Sequence, residues 1–123
     1  MKTRLKGYLL DIAGACGKLT RFTRDKQYAD YRDDDFMQSA VERQFEVIGE
    51  ATGQLLKAAP DLADSISNSG DIIGFRNNLI HRYASVQHEV VWDILRNDVP
   101  LLQMEIQRLL DQADPPEGEP DND

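Results

Sequence analysis

Between Asp71 and Tyr83 the chain reads DIIGFRNNLIHRY, in which Arg76, Asn77, Asn78, His81, Arg82 and Tyr83 stand among the hydrophobes Ile72, Ile73, Phe75, Leu79 and Ile80. These polar types together could do phosphate chemistry. An imidazole titrates near neutral pH, so His81 could take the proton from a ribose 2′-hydroxyl or give one to a leaving 5′-oxygen. A guanidinium stays charged and grips phosphate oxygens in pairs, so Arg76 could stabilise the negative charge that builds in the transition state. Such a reaction needs both an acid and a base, yet this stretch offers one histidine per chain. A twofold dimer that brings two such stretches together would supply two.

Helical geometry sets what can act together. At about 100° per residue, Asn77 and His81 lie about 40° apart and Arg76 and Tyr83 about 20° apart, whereas Arg76 and His81 are separated by about 140°. Arg76 and His81 therefore meet at one phosphate only if the long Arg76 stem wraps round, the helix loosens near Tyr83, or a second protomer contributes. The spacing alone decides nothing. With nine arginines and two histidines in 123 residues, an Arg and a His at one fixed separation arise by chance about 0.15 times per chain. On composition alone, a hydrogen-bonded histidine at a helix end is the more economical reading of His81.

The elements that must position these residues read as helices nearly throughout. Leu5, Leu9, Ile12, Cys16, Leu19 and Phe22 form one stripe at helical spacing, which predicts a first helix over residues 2–24 with a basic opposite face. Residues 25–33 are polar with no clear period and read as a connection. Asp33, Asp34 and Asp35 are N-cap candidates for a second helix over 34–58, with Met37, Val41, Phe45, Ile48 and Leu55 on one side and Pro60 beyond its end. Residues 60–70 read as a loop or broken helix. Asp71 is the expected N-cap of a third helix, inside which Gly74 suggests close packing. Val90, Val91, Ile94, Leu95, Leu101, Leu102, Ile106, Leu109 and Leu110 predict a last helix kinked or restarted at Pro100. No segment sustains a period of two. The expected architecture is an all-α antiparallel bundle of four to five helices over residues 1–112.

The net charge of −8 and pI near 4.7 argue at first against a phosphate-rich partner. The distribution reverses that. Residues 111–123 hold six acids and no base, so the other 110 residues carry 14 bases against 16 acids. Within them, residues 1–32 hold eight bases against three acids, and residues 33–75 two against nine. The acidic Pro/Gly tail, 113–123, is expected to remain disordered. Cys16 is the only cysteine, so it excludes an internal disulfide or a cysteine zinc site and reads as a small core residue in a reducing, cytoplasmic protein. No apolar run approaches the roughly 18 residues of a membrane span.

Several residues carry a plain reading beside a functional one. Asn77 could orient His81, contact RNA or bridge a dimer interface; Arg82 reads as a solvated or RNA-contacting charge. His88 reads as an ordinary first-turn residue and Trp92 as core or interface. Glu42, Glu46 and Glu50, four apart, read as a solvated face or one that meets a basic partner. The basic residues of the first helix fit RNA contact and solubility equally.

The run IIGFRNNLIHRY, with Arg76, four residues, His81, one residue and then Tyr83, resembles the RxxxxHxY signature of the HepT-like family of HEPN domains. AVERQFEVIGEATGQL resembles that family's second-helix segment and VVWDILRNDVPLL is similar to its final helix, so the resemblance spans most of residues 4–110 in order. This chain departs from the pattern in its Ser/Asn-rich loop before the third helix, where an aromatic residue is common, and at Phe75, where Met is frequent.

The resemblance implies the toxin of a type VII toxin–antitoxin pair, a homodimeric endoribonuclease without cofactor or metal that cuts tRNA or mRNA and leaves a 2′,3′-cyclic phosphate. Arg76 and His81 would be its catalytic pair, near a groove at the dimer interface, with Asn77 and Arg82 supporting or contacting RNA. Tyr83 would accept AMP from an MntA-type nucleotidyltransferase antitoxin, and the nucleotide would block the site as a covalent substrate mimic. The alternative is a non-catalytic helical subunit that docks on a nucleotidyltransferase and helps to hold its nucleotide or substrate. A structural scaffold indifferent to His81 is a third reading.

Overall fold

The computed structural model describes residues 2–81 and 86–113. These residues form six α-helices, α1 (Thr3–Phe22), α2 (Tyr28–Arg32), α3 (Asp35–Ala58), α4 (Ser69–His81), α5 (His88–Asn97) and α6 (Val99–Ala113), with a 3-10 helix at Pro60–Ser65. Among the described residues there is no strand. The long α3 is the axis of the bundle, with α1 and α4 packed against it; α6 lies against α1, and α5 against α6 and α2.

Each long helix follows from its stripe. Leu9, Ile12, Cys16 and Leu19 of α1 are buried, as are Val41, Phe45, Ile48 and Leu55 of α3 and Leu102, Ile106 and Leu109 of α6. Removing each large aliphatic side chain from water stabilises the fold by about 1.5–3 kcal/mol. The helix ends are equally local. The Asp34 carboxylate accepts from the Met37 N–H at 3.0 Å and caps α3. At the other end of that helix the Ala59 N–H donates to the Leu55 carbonyl at 2.8 Å, and Pro60, which has no N–H, follows. The buried Thr23 hydroxyl donates to the Leu19 carbonyl at 2.8 Å as α1 ends. Asp25 then turns the chain with a φ of 61°.

The structure differs from the sequence expectation in three places. Residues 25–33 are more than a connection: they contain α2, entered where the Gln27 N–H donates to the Asp30 carboxylate at 2.8 Å. This short helix is held by Tyr31, which is buried with its ring centroid 5.4 Å from that of Trp92. The third helix begins at Ser69, a half turn before Asp71, with the Ile72 N–H donating to the Asn68 carbonyl. The last helix restarts at Pro100, one of the two outcomes expected: α5 ends at Asn97 and Pro100 sits in the first turn of α6, where its missing N–H costs nothing. Gly74 packs against nothing, since a Cβ there would meet no atom within 4 Å. The expected all-α bundle stands with five longer helices, to which the short α2 is added by tertiary packing rather than by its own period. The acidic tail beyond Ala113 lies outside the described residues.

Cys16 is fully buried, and burial pushes its thiol from the ordinary 9.0 up to about 12. The folded chain therefore keeps this proton at a pH where the unfolded chain releases it, so the contribution to stability is intact below pH 9 and is lost as pH rises toward 12. Tyr31 acts in the same direction, its phenol held above the ordinary 10.0 first by burial and then by the charge of Glu42. Thermal melts across the alkaline range are expected to show a Tm that declines from about pH 9 upward. Cys16 is expected to resist iodoacetamide near pH 8 until urea unfolds the chain.

Candidate active site

The site is built where α4 crosses α3. Gly49 of α3 is buried, and a Cβ placed on it would lie 2.1 Å from Arg76 Cβ, 2.5 Å from Arg76 Cγ and 3.4 Å from the Ile72 carbonyl oxygen. No side chain fits there. The absence of one lets the α4 backbone press onto α3, and the aliphatic stem of Arg76 lies in the space. One turn earlier on α3, Phe45 meets Phe75 edge to face, with centroids 5.2 Å apart. Residues from three α4 positions, Ile72, Phe75 and Arg76, thus anchor this otherwise lightly buried helix.

The Arg76 head group is held on both sides. Nη2 meets Glu50 Oε2 at 2.9 Å, and Nη1 donates to Asn77 Oδ1 at 3.0 Å. The other Glu50 oxygen, Oε1, accepts from Gln54 Nε2 at 3.2 Å. The Arg76 Nε is buried and has no acceptor among the described residues. The head group opens onto a groove of about 340 Å³, bounded by Tyr8 and Asp11 of α1, Arg43, Glu46 and Glu50 of α3, and Arg76 and Ile80 of α4. Arg43 Nη1 reaches Glu46 Oε2 at 3.4 Å.

The groove around Arg76 is of mixed charge rather than basic. Asp11, Glu46 and Glu50 more than offset Arg43 and Arg76 within the groove. The glutamate series on α3 proves to be a face that meets basic partners, but Arg43 and Arg76 of the same chain supply them. Gly49 is the residue that spacing did not single out, and Glu50 was visible only as one of the α3 glutamates. No signal within a few residues shows the crossing that pairs positions 49 and 76.

Asn77 is placed beside Arg76, accepting from its guanidinium. His81 closes α4; its side chain, together with Arg82 and Tyr83, lies outside the described residues. His88 starts α5 in a buried cluster rather than on an open first turn. Its ring stands edge-on to Tyr31 at 5.8 Å, and its Nδ1 is buried without a partner among the described residues. Glu42 lies nearby: burial pushes its carboxyl up, and the His88 charge pulls it part of the way back. Trp92 is core, as expected, with Arg96 stacked 4.6 Å from its ring. Among the described residues no three His, Cys, Asp or Glu side chains are grouped to hold a metal ion, and no helix is long and apolar enough to cross a membrane.

Comparison with known proteins adds a second line of observation. A family described as "Ribonuclease HepT-like" matches residues 12–109. The chain is 34% identical over 109 residues to a Thermococcus cleftensis protein named "Probable ribonuclease HepT", covering 89% of this chain and 98% of the relative. It is 30% identical over 108 residues to "Putative RNase MJ1380" of Methanocaldococcus jannaschii, covering 86% and 96%. From the same organism, "Putative RNase MJ0127" is 31% identical over 121 residues, covering 98% and 97%. No solved structure matches.

The two helical glycines separate packing from propensity. Gly49→Ala is expected to lose about 1–3 kcal/mol of stability, because α4 must move off α3 to admit the methyl group. Gly74→Ala, in open space, is expected to gain about 0.5–1 kcal/mol. Urea denaturation of both variants beside the wild type measures the contrast.

Proposed function

The chain belongs to the HepT-like ribonuclease family, and from that premise we propose that it is a metal-independent endoribonuclease, the toxin of a type VII toxin–antitoxin pair, acting as a homodimer in the cytoplasm. The observation that carries the reading is Arg76 held at the mouth of a nucleotide-sized groove, in a chain whose family match runs from residue 12 to residue 109.

In this reading His81 removes the proton from a ribose 2′-hydroxyl, and the oxygen attacks the adjacent phosphorus. Arg76 donates to the non-bridging oxygens as negative charge accumulates on them. The bond from phosphorus to the 5′-oxygen breaks, and that oxygen takes a proton from a second imidazolium, supplied by His81 of the partner protomer. The products are a 2′,3′-cyclic phosphate and a 5′-hydroxyl. Asn77 and Arg82 assist in holding the substrate, tRNA or mRNA. The Tyr83 hydroxyl attacks the α-phosphorus of ATP on an MntA-type nucleotidyltransferase; AMP is transferred and pyrophosphate leaves. AMP on Tyr83, seven residues after Arg76 in sequence, would place its phosphate on the guanidinium that RNA requires.

Arg76→Ala and His81→Ala are each expected to lower RNA cleavage by about 100-fold or more, with circular dichroism and dimer mass unchanged. Cleavage equal to wild type in both variants would remove the assignment. End-group analysis should find the cyclic phosphate. Intact mass after incubation with ATP and the nucleotidyltransferase should rise by AMP in the wild type and not in Tyr83→Phe. A folded wild-type chain that binds the nucleotidyltransferase but cuts no RNA would be its non-catalytic subunit instead.

A further inference from the structure

An arginine that must receive a phosphate has two needs that conflict: a counter-charge to hold it still, and free N–H groups to offer. The groove meets both. We propose that Glu50 is the positioning residue of the site, fixing the Arg76 guanidinium in the orientation that accepts an RNA phosphate while leaving N–H groups on both terminal nitrogens available. The proposal rests on the reading of Arg76 as the phosphate-holding residue.

The geometry carries it from the stem outward. Arg76 Cβ and Cγ lie against Gly49, so the first part of the side chain has nowhere to swing toward α3. Further out, Nε is buried, which closes the side edge of the guanidinium and leaves its terminal nitrogens to face the groove. Glu50 then meets Nη2 through Oε2 at 2.9 Å. Its other oxygen is held by Gln54 at 3.2 Å, and this turns the carboxylate away from the two-pronged grip in which a carboxylate would occupy a whole guanidinium edge. Asn77 steadies Nη1 at 3.0 Å. Among the described residues, each terminal nitrogen keeps one of the arginine's five N–H groups uncommitted.

Exposure decides between a positioning role and a stability role. The Glu50 side chain is 53% exposed and that of Arg76 29%, so the pair is partly solvated and adds little to folding stability. It also yields readily to a stronger, doubly hydrogen-bonded anion. What such a pair does well is restrict rotamers: a guanidinium already oriented loses less freedom when the phosphate arrives and is in place as charge develops. The same carboxylate adds a negative charge near the phosphate, which weakens ground-state binding. Positioning and affinity are thus set against each other in one residue, and the two separate in kinetics.

Steady-state cleavage by the full-length dimer tests this. Glu50→Ala is expected to lower kcat by about 10- to 100-fold without raising KM, since the groove loses a negative charge. Glu50→Gln keeps an oxygen acceptor at the same place and is expected to recover most of the lost kcat. A merely structural role would move melting temperature and active fraction together and would not split kcat from KM or favour Gln over Ala. In parallel, nitrogen-15 NMR of the Arg76 side chain should resolve its Nη protons in the wild type and show them averaged by rotation in Glu50→Ala. A kcat for Glu50→Ala within twofold of wild type, or faster cleavage at every RNA concentration, overturns the proposal, as do unchanged Nη signals. Should the wild type cut no RNA while the Nη signals average in Glu50→Ala, the cleavage reading falls and the Glu50 hold on Arg76 stands.

Discussion

The arrangement around Arg76 depends on one steric fact: there is no side chain at Gly49. A methyl group there would overlap the Arg76 stem at 2.1 Å, so only glycine lets α4 lie this close to α3. The approach matters because α4 buries little of its own apolar surface; Leu79 is its one fully enclosed hydrophobe, and Ile80 remains 38% exposed. Such a helix could dock in several rotations. The Gly49 contact, with Phe75 against Phe45, selects the one in which Arg76 points along the groove between α1 and α4.

Once that rotation is set, electrostatics follows from helix periodicity on α3. Glu46 and Glu50 stand one turn apart, so whichever residue α4 lays beside Gly49 finds a carboxylate next to it. Arg76 is that residue. The groove is consequently of mixed charge, and any anion that enters competes with carboxylates already present. This sharpens what the net charge of −8 means. The acidic balance of residues 33–75 is partly spent inside the chain on its own arginines, and the lysines and arginines of residues 1–32 remain the main source of positive surface.

The other end of the site is organised by aromatic packing. Tyr31, Trp92 and His88 interlock, joining the short α2 to the start of α5. Glu42, two helical turns before Glu50 on α3, lies close enough to His88 to feel its charge. The long α3 therefore carries carboxylates toward both flanks of the polar run, Glu50 beside Arg76 and Glu42 within electrostatic reach of His88.

The long elements, and the polar run that names the candidate site, were legible in the residues themselves. The stripes of α1, α3 and α6 follow from spacings of three and four, the α3 cap from Asp34, and the polar run from its contrast with the hydrophobes around it. Resemblance to a family placed roles on Arg76, His81 and Tyr83, and the family match agrees at the level of the ribonuclease. What spacing could not show was which residues meet across helices. It assigned close packing to Gly74, where space is open, and missed Gly49; it left α2 as a connection because Tyr31 is buried by residues 61 positions away; and it left open what the glutamates of α3 face. Local order is written in period, caps and turns, each set within a few residues. Contacts such as Gly49 with Arg76 are decided by the crossing of two helices, and a crossing depends on the whole surface of both.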